Sequence, residues 1–156
     1  MPIRVFKSLY SKFSLLKMAN SRILVTGATG QIGSELVPEL REIYGVENVI
    51  VGVHTRPPSE DLKEGPTDDV DVTQKGSIED SVKKYDIDTI YHMAAILSVK
   101  GEENPWLAWD VNMNGTYNVL EVAREHKIRQ VFCPSSIAVF GPETPRENTP
   151  QETVLR

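Results

Sequence analysis

The sequence predicts an α/β fold built on a doubly wound parallel sheet, and three observations lead there. Short β-branched runs alternate with amphipathic helical stretches from residue 22 to about residue 133. Three glycines, Gly27, Gly30 and Gly33, sit where the first run gives way to the first helical stretch. The balance of 40% hydrophobic and 25% charged residues is that of an ordinary folded domain. Strand and helix in alternation imply right-handed crossovers, hence parallel strands with helices on the sheet faces.

The elements follow in order. Arg22 to Thr26 is a β-branched run ended by Gly27 and reads as a buried strand. Gln31 to Tyr44 places Ile32, Leu36, Leu40 and Ile43 at helical spacing and stops at Gly45, a C-terminal capping residue. Pro38 falls inside that helix and removes one backbone bond, with a bend expected. Asn48 to Val53 is strand-like again, followed by a loop forced by Pro57 and Pro58. Asp69 to Val72 predicts a short third strand. Ser77 to Tyr85 carries Ile78, Val82 and Tyr85 on one helical face. Asp88 to Met93 and Arg129 to Cys133 complete five strands.

The longest helix opens at Asn104-Pro105, with proline tolerated in the first turn, and runs to about His126. It carries two apolar stripes. One is Trp106, Trp109, Met113, Tyr117 and Leu120, and the other is Leu107, Val111, Gly115, Val119 and Val122. A helix lying on a sheet needs one apolar face. Two stripes imply a second partner, a further helix or another subunit, or else one wide face over a large core.

Composition narrows the function classes. The length suits one domain, and no run of eighteen apolar residues is present to span a membrane as a helix. A net charge of −5 argues against a nucleic-acid partner. The single cysteine, Cys133, cannot form an internal disulfide, and no cluster with metal-ligand spacing is seen, so no metal is expected. Residues 1–21 stand apart: they contain Arg4, Lys7, Lys12 and Lys17, and no acid occurs before Glu35. Val5, Leu9, Phe13 and Leu16 form one apolar stripe there. A basic, acid-free, serine-containing start of this kind is what organelle transit peptides look like. A tail without function fits equally, and Met18 offers an alternative start. The first reading implies a mitochondrial address and the second a cytoplasmic one. The domain is therefore set at 22–156.

The site signal is Gly27-Ala28-Thr29-Gly30-Gln31-Ile32-Gly33, between a buried strand and an amphipathic helix. The first glycine allows a tight turn, the second lets backbone approach a pyrophosphate, and the third lets helix pack on strand. The free N–H groups of the helix start then face the anion. This is the fingerprint of a Rossmann-type dinucleotide site, given its strand–turn–helix setting. Such a site usually places an acid about 20 residues on, to hold the ribose hydroxyls. Here that place is Val53, followed by His54, Thr55 and Arg56. Valine accepts no hydrogen bond, whereas Arg56 can pair with a 2′-phosphate, so NADP stands beside NAD as the expected cofactor.

At this point the chain resembles a family. The glycine loop, His92-Met93-Ala94-Ala95, Asn112-Met113-Asn114-Gly115 and Pro134-Ser135-Ser136 stand in the order of extended short-chain dehydrogenases and nucleotide-sugar epimerases. Leu97 to Glu102, Ile137 to Pro142 and Glu147 to Pro150 make it most similar to short-chain-type L-threonine 3-dehydrogenases, which oxidise threonine to 2-amino-3-oxobutyrate with NAD. The resemblance covers 22–156. It implies that Ser136 hydrogen-bonds the reacting oxygen as a catalytic and substrate-binding residue, and that Ser98 contacts the amino acid. It implies further that Gly27, Gly30, Gln31, Ile32, Gly33, Asp71, Val72, Ala94, Ala95 and Asn112 line the cofactor. Asp71 and Val72 would face the adenine, Ala94 and Ala95 the middle of the cofactor, and Asn112 would help order the site. His92 reads as a core residue.

The same resemblance implies a base made of a tyrosine with a lysine four residues on. Tyr85, Tyr91 and Tyr117 have no lysine at that spacing, and the family's pair would fall shortly after Arg156. The expectation is therefore a Rossmann-type sheet truncated before its last strands and its C-terminal substrate domain, inactive alone and a homodimer when complete. A nucleotide-sugar epimerase or dehydratase is the alternative enzyme. A non-catalytic dinucleotide-binding module is the alternative outside enzymes.

Overall fold

The computed structural model describes residues 21–136, 139–141, 144, 145 and 147. Five strands form one sheet: β1 (Ile23–Thr26), β2 (Val49–Val53), β3 (Thr67–Asp69), β4 (Thr89–His92) and β5 (Gln130–Phe132). Their order across the sheet is β3-β2-β1-β4-β5, with every neighbouring pair parallel. The order reverses between β1 and β4, since the chain winds outward from β1 in one direction and then in the other. That is the doubly wound α/β arrangement the alternating pattern implies.

The sheet is buried on both faces, and its strand residues alternate between two cores. Ile23, Val25, Val49 and Val51 pack with Val37 and Leu40 of helix α1 (Gln31–Tyr44). Leu24, Ile50 and Ile90 pack instead with Ile78 and Val82 of α2 (Lys75–Tyr85) and with Val119 and Val122 further along the chain. Each such side chain taken fully out of water contributes about 1.5–3 kcal/mol. Helix α1 keeps its predicted bounds and continues through the exposed Pro38. Its buried face is Gly33, Val37, Leu40 and Arg41, whereas Ile32 and Ile43 of the expected stripe are both 62% exposed. The true face is rotated by about one residue, because Gly33 must lie against the Gly27–Ala28 turn that follows β1.

The third strand also corrects the sequence reading. It spans Thr67–Asp69, not Asp69 to Val72, because the ladder to β2 pairs Val51 with Thr67, Gly52 with Asp68 and Val53 with Asp69. Val70 and Val72 turn inward as core residues after the strand ends. Strands β1, β2, β4 and β5 are trimmed by a residue at one or both ends, and α2 starts two residues early. A 3-10 turn over Asp61–Glu64, unforeseen in the sequence, is clamped by Arg41, whose guanidinium donates to the carbonyls of Asp61 and Leu62 at 3.0 Å each.

After β4 come α3 (Ser98–Glu103), which periodicity did not reveal, and then the long helix. The latter runs as α4 (Pro105–Trp109), a π turn over Asp110–Asn114, and α5 (Gly115–Glu125). The Asn104 side chain caps it by accepting from the Leu107 amide at 3.1 Å. Its two stripes part company. Gly115, Val119 and Val122 are buried on the sheet, while Trp106, Trp109, Met113, Tyr117 and Leu120 are 51–83% exposed. Among the described residues the two stripes share no common core, and Leu107 of the second is itself 45% exposed.

Ser21, assigned to the tail on sequence, is 1% exposed, and its hydroxyl accepts from Arg129 at 2.8 Å. The folded unit thus includes it. The transit-peptide reading concerns residues 1–20, which lie outside the described residues. No helix among the described residues is long and apolar enough to cross a membrane.

Candidate functional site: the crevice at the carboxyl ends of β1 and β4

A crevice opens where the strand order reverses, outside the carboxyl ends of β1 and β4. Two loops form it, Gly27–Gly30 after β1 and the segment 93–97 after β4. They are in backbone contact. The Met93 amide donates to the Thr26 carbonyl at 3.0 Å, and a Cβ placed on Gly27 would stand 2.4 Å from the Ala94 nitrogen. Gly27 also holds φ at +64°, a conformation that side chains rarely adopt. Gly33 answers a different constraint: a Cβ there would lie 2.5 Å from the Gly27 carbonyl oxygen, so helix and turn touch.

Gly30 is the N-cap of α1, with no side chain capping the helix and no acid in its first turn. Amides of Gln31, Ile32 and Gly33 therefore begin the helix without a side-chain acceptor, and the positive end of the helix dipole faces the crevice. Gln31 and Ile32 are exposed beside it. These features fit a pyrophosphate: a backbone cradle that Cβ atoms would fill and a helix start free to bind an anion.

The β4 side of the crevice is held by side chains. Asn112, in the π turn, accepts from the Ile96 amide at 2.8 Å and donates to the Ile96 carbonyl at 2.9 Å. Its amide group thus fastens the loop carrying Ala94 and Ala95. His92, 3% exposed, bridges Thr26 (2.8 Å) and Thr116 (3.2 Å) through its two ring nitrogens. Burial lowers its pKa to about 4, so the ring is neutral near pH 7. The core reading of His92 holds in this geometry, and its bonds tie β1, β4 and the long helix together.

On the β2–β3 side, Asp71 accepts from both the amide (2.9 Å) and the hydroxyl (2.8 Å) of Thr73. Its neighbour Val72 is buried and packs against Gly115, leaving its carbonyl to accept from Asn118 at 3.0 Å. Val53, the position of the missing acid, is paired in the ladder with Asp69. His54 lies between carboxylates, 3.4 Å from Asp69 and 3.8 Å from Asp71. Sequence reasoning missed this group because only the β2–β3 register brings it together. Arg56 is exposed in the following loop.

Ser136 is exposed three residues beyond Cys133, past the end of β5. Ser98 opens α3. A shallow hollow of about 560 Å³ lies alongside α3 and the long helix, lined by Ile96, Gly101, Glu102, Trp109, Asn112 and Met113. Much of the expected motif run after Ser136, including Ile137, Ala138, Pro142 and Asn148 to Pro150, lies outside the described residues.

Comparison with known proteins agrees with this geometry. The model of the NAD dependent epimerase/dehydratase family matches residues 23–155. An uncharacterized epimerase/dehydratase of Staphylococcus saprophyticus is 51% identical over 137 residues, covering 86% of this chain and 42% of that protein. Among solved structures, the L-threonine dehydrogenase of Clostridium difficile superimposes with a TM-score of 0.79 at 45% identity, over 87% of this chain and 43% of that one. A UDP-glucose 4-epimerase of Thermus thermophilus, solved with NAD, gives a TM-score of 0.71 at 29% identity, over 86% and 44%. The chain thus spans less than half the length of the relatives it matches. With its parallel sheet, reversed strand order and glycine cradle, it belongs to the NAD-dependent epimerase/dehydratase family.

Proposed function

We propose that this chain supplies the dinucleotide-binding half of an L-threonine 3-dehydrogenase-type oxidoreductase. The observation that supports the substrate class is the gap between 45% identity to a threonine dehydrogenase structure and 29% to a UDP-glucose 4-epimerase. In this reading residues 21–156 belong to the cofactor domain, and a substrate domain belongs C-terminal to it.

The first-turn amides of α1 and the Gly27–Gly30 backbone would hold the pyrophosphate of NAD, and Asp71 would serve its adenine end. NAD, when bound, accepts the hydride leaving the substrate carbon. Asn112 keeps the Ala94–Ile96 segment against the crevice, so the nicotinamide end meets a fixed wall. Ser136 donates a hydrogen bond to the reacting oxygen, and Ser98, at the start of α3, contacts the amino acid. A serine hydroxyl is too weak a base near neutral pH to take the substrate proton, so that role falls to a tyrosine and lysine beyond Arg156. The chain alone is accordingly inactive.

The test is to join this chain to the C-terminal part of the C. difficile threonine dehydrogenase and follow NADH formation. Threonine-dependent NADH from the chimera, and none from the chain alone, supports the proposal. Turnover by the isolated chain overturns the assigned mechanism, and epimerisation of UDP-glucose without threonine oxidation overturns the substrate.

A further inference from the structure

We infer that Asp69, together with His54 and Asp71, takes the place of the acid missing at Val53 and selects a dinucleotide whose adenosine ribose carries a free 2′-hydroxyl over one carrying a 2′-phosphate. The inference rests on the cofactor site proposed above and assigns its specificity.

The argument begins with the ladder. Val53 ends β2 at the point where an acid would meet the ribose, and a valine side chain cannot accept a hydrogen bond. Its register partner across the parallel pair is Asp69. Partners in register point to the same face of the sheet, so the carboxylate of Asp69 leaves β3 beside the Val53 side chain. The preceding residue, Asp68, points the other way and is held by Lys84 at 2.6 Å. Asp69 has no lysine or arginine within ion-pairing distance among the described residues, and its side chain is 86% exposed at the sheet's carboxyl end.

His54 locks this arrangement. It is the first residue after β2, and its two ring nitrogens face Asp69 and Asp71 at 3.4 and 3.8 Å. The imidazole therefore lies across the end of β2 with a carboxylate on either side. A ribose diol finds hydrogen-bond acceptors there. A 2′-phosphate, carrying close to two negative charges, meets two carboxylates there, and like charges repel. Arg56 is the only cation nearby in sequence, and it is exposed with no ion-pair partner among the described residues. One exposed guanidinium without an ion-pair partner among the described residues offsets less than two carboxylates flanking His54 oppose.

Calorimetric titration of the chain with NAD and with NADP tests this directly. NAD should bind at least about tenfold tighter, and raising the salt should narrow the gap, since screening weakens a charge-based preference. Asp69→Asn should narrow it as well, chiefly by tightening NADP, with an unchanged circular dichroism spectrum. Arg56→Ala should leave the preference intact. Equal or reversed affinities for the unmodified chain overturn the inference, as does an Asp69→Asn variant that keeps the full preference. Binding of neither dinucleotide overturns the cofactor reading itself, and this inference with it.

Discussion

The Nε2 atom of His92 lies 3.2 Å from the Thr116 hydroxyl, and it must be the donor in that bond. The Thr116 hydroxyl already donates to the Asn112 carbonyl at 2.7 Å, so toward His92 only its lone pair is left. Nδ1 then accepts from Thr26 at 2.8 Å. A directed chain runs Thr26, His92, Thr116, Asn112, and the Asn112 side chain fastens Ile96. The wall of the crevice therefore hangs on a neutral imidazole.

This arrangement predicts a pH dependence of stability. In the unfolded chain His92 titrates near 6.5, whereas in the fold burial lowers it to about 4. Between those values the unfolded state takes up a proton that the native state does not. Stability from this group is thus complete above pH 6.5, falls as pH drops toward 4, and changes no further below it. The full effect is about 3 kcal/mol. Urea titrations at pH 7.5 and 4.5 should show the loss, and His92→Gln should show a smaller pH dependence over that interval.

Gly30 and Gly33 should respond differently to substitution. A Cβ at Gly30 meets only the Gly27 carbonyl, at 3.1 Å, and the residue has an ordinary extended conformation. Gly30→Val should therefore leave the melting temperature nearly unchanged and abolish dinucleotide binding by calorimetry. Gly33→Val forces atoms against Gly27 and Ala28 backbone at 2.5–2.8 Å. It should lower stability by several kcal/mol, on the order of the largest single-residue effects.

Ser81 is fully buried in α2, and its hydroxyl has no hydrogen-bond partner among the described residues. Burying an unpaired hydroxyl costs about 1–3 kcal/mol, and alanine is also the better helix former. Ser81→Ala should raise the urea midpoint, equivalent to about 1 kcal/mol or more. A lower midpoint would mean that the hydroxyl supports the helix packing.

The open stripe of Trp106, Trp109, Met113, Tyr117 and Leu120 should make the isolated chain self-associate, as a large exposed apolar patch does. Sedimentation velocity should show species heavier than a monomer that grow with concentration. Trp109→Glu combined with Tyr117→Glu should shift the chain to monomer.

Much of the fold was legible because local chemistry and tertiary packing agree along β1 and α1. A β-branched run, a glycine turn and a helix ending at Gly45 each specify their own conformation. The glycine cradle was legible for the same reason. Other features were not. Asp69 to Val72 was read as a strand from its β-branched residues, yet the ladder ends at Asp69, and Val70 and Val72 serve the core from a loop. Helix α3 carries no apolar face that periodicity detects, and the π turn lies inside a run whose apolar stripes read as continuous α-helix. His92 was legible as core, but its role as a bridge was not, since Thr26 and Thr116 lie 66 and 24 residues away.

What the sequence by itself determined is the alternation of elements, hence the parallel sheet, and the phosphate-binding turn after its first strand. Both follow from near-neighbour rules: side-chain periodicity, and glycine where a side chain cannot fit. The tertiary structure alone decided which stripe of the long helix is buried, since both are apolar and only Gly115 permits close approach to Val72. It alone decided the strand register as well, and so placed Asp69 beside Val53. Register depends on which faces meet across the sheet, and no residue carries that information in its own neighbourhood.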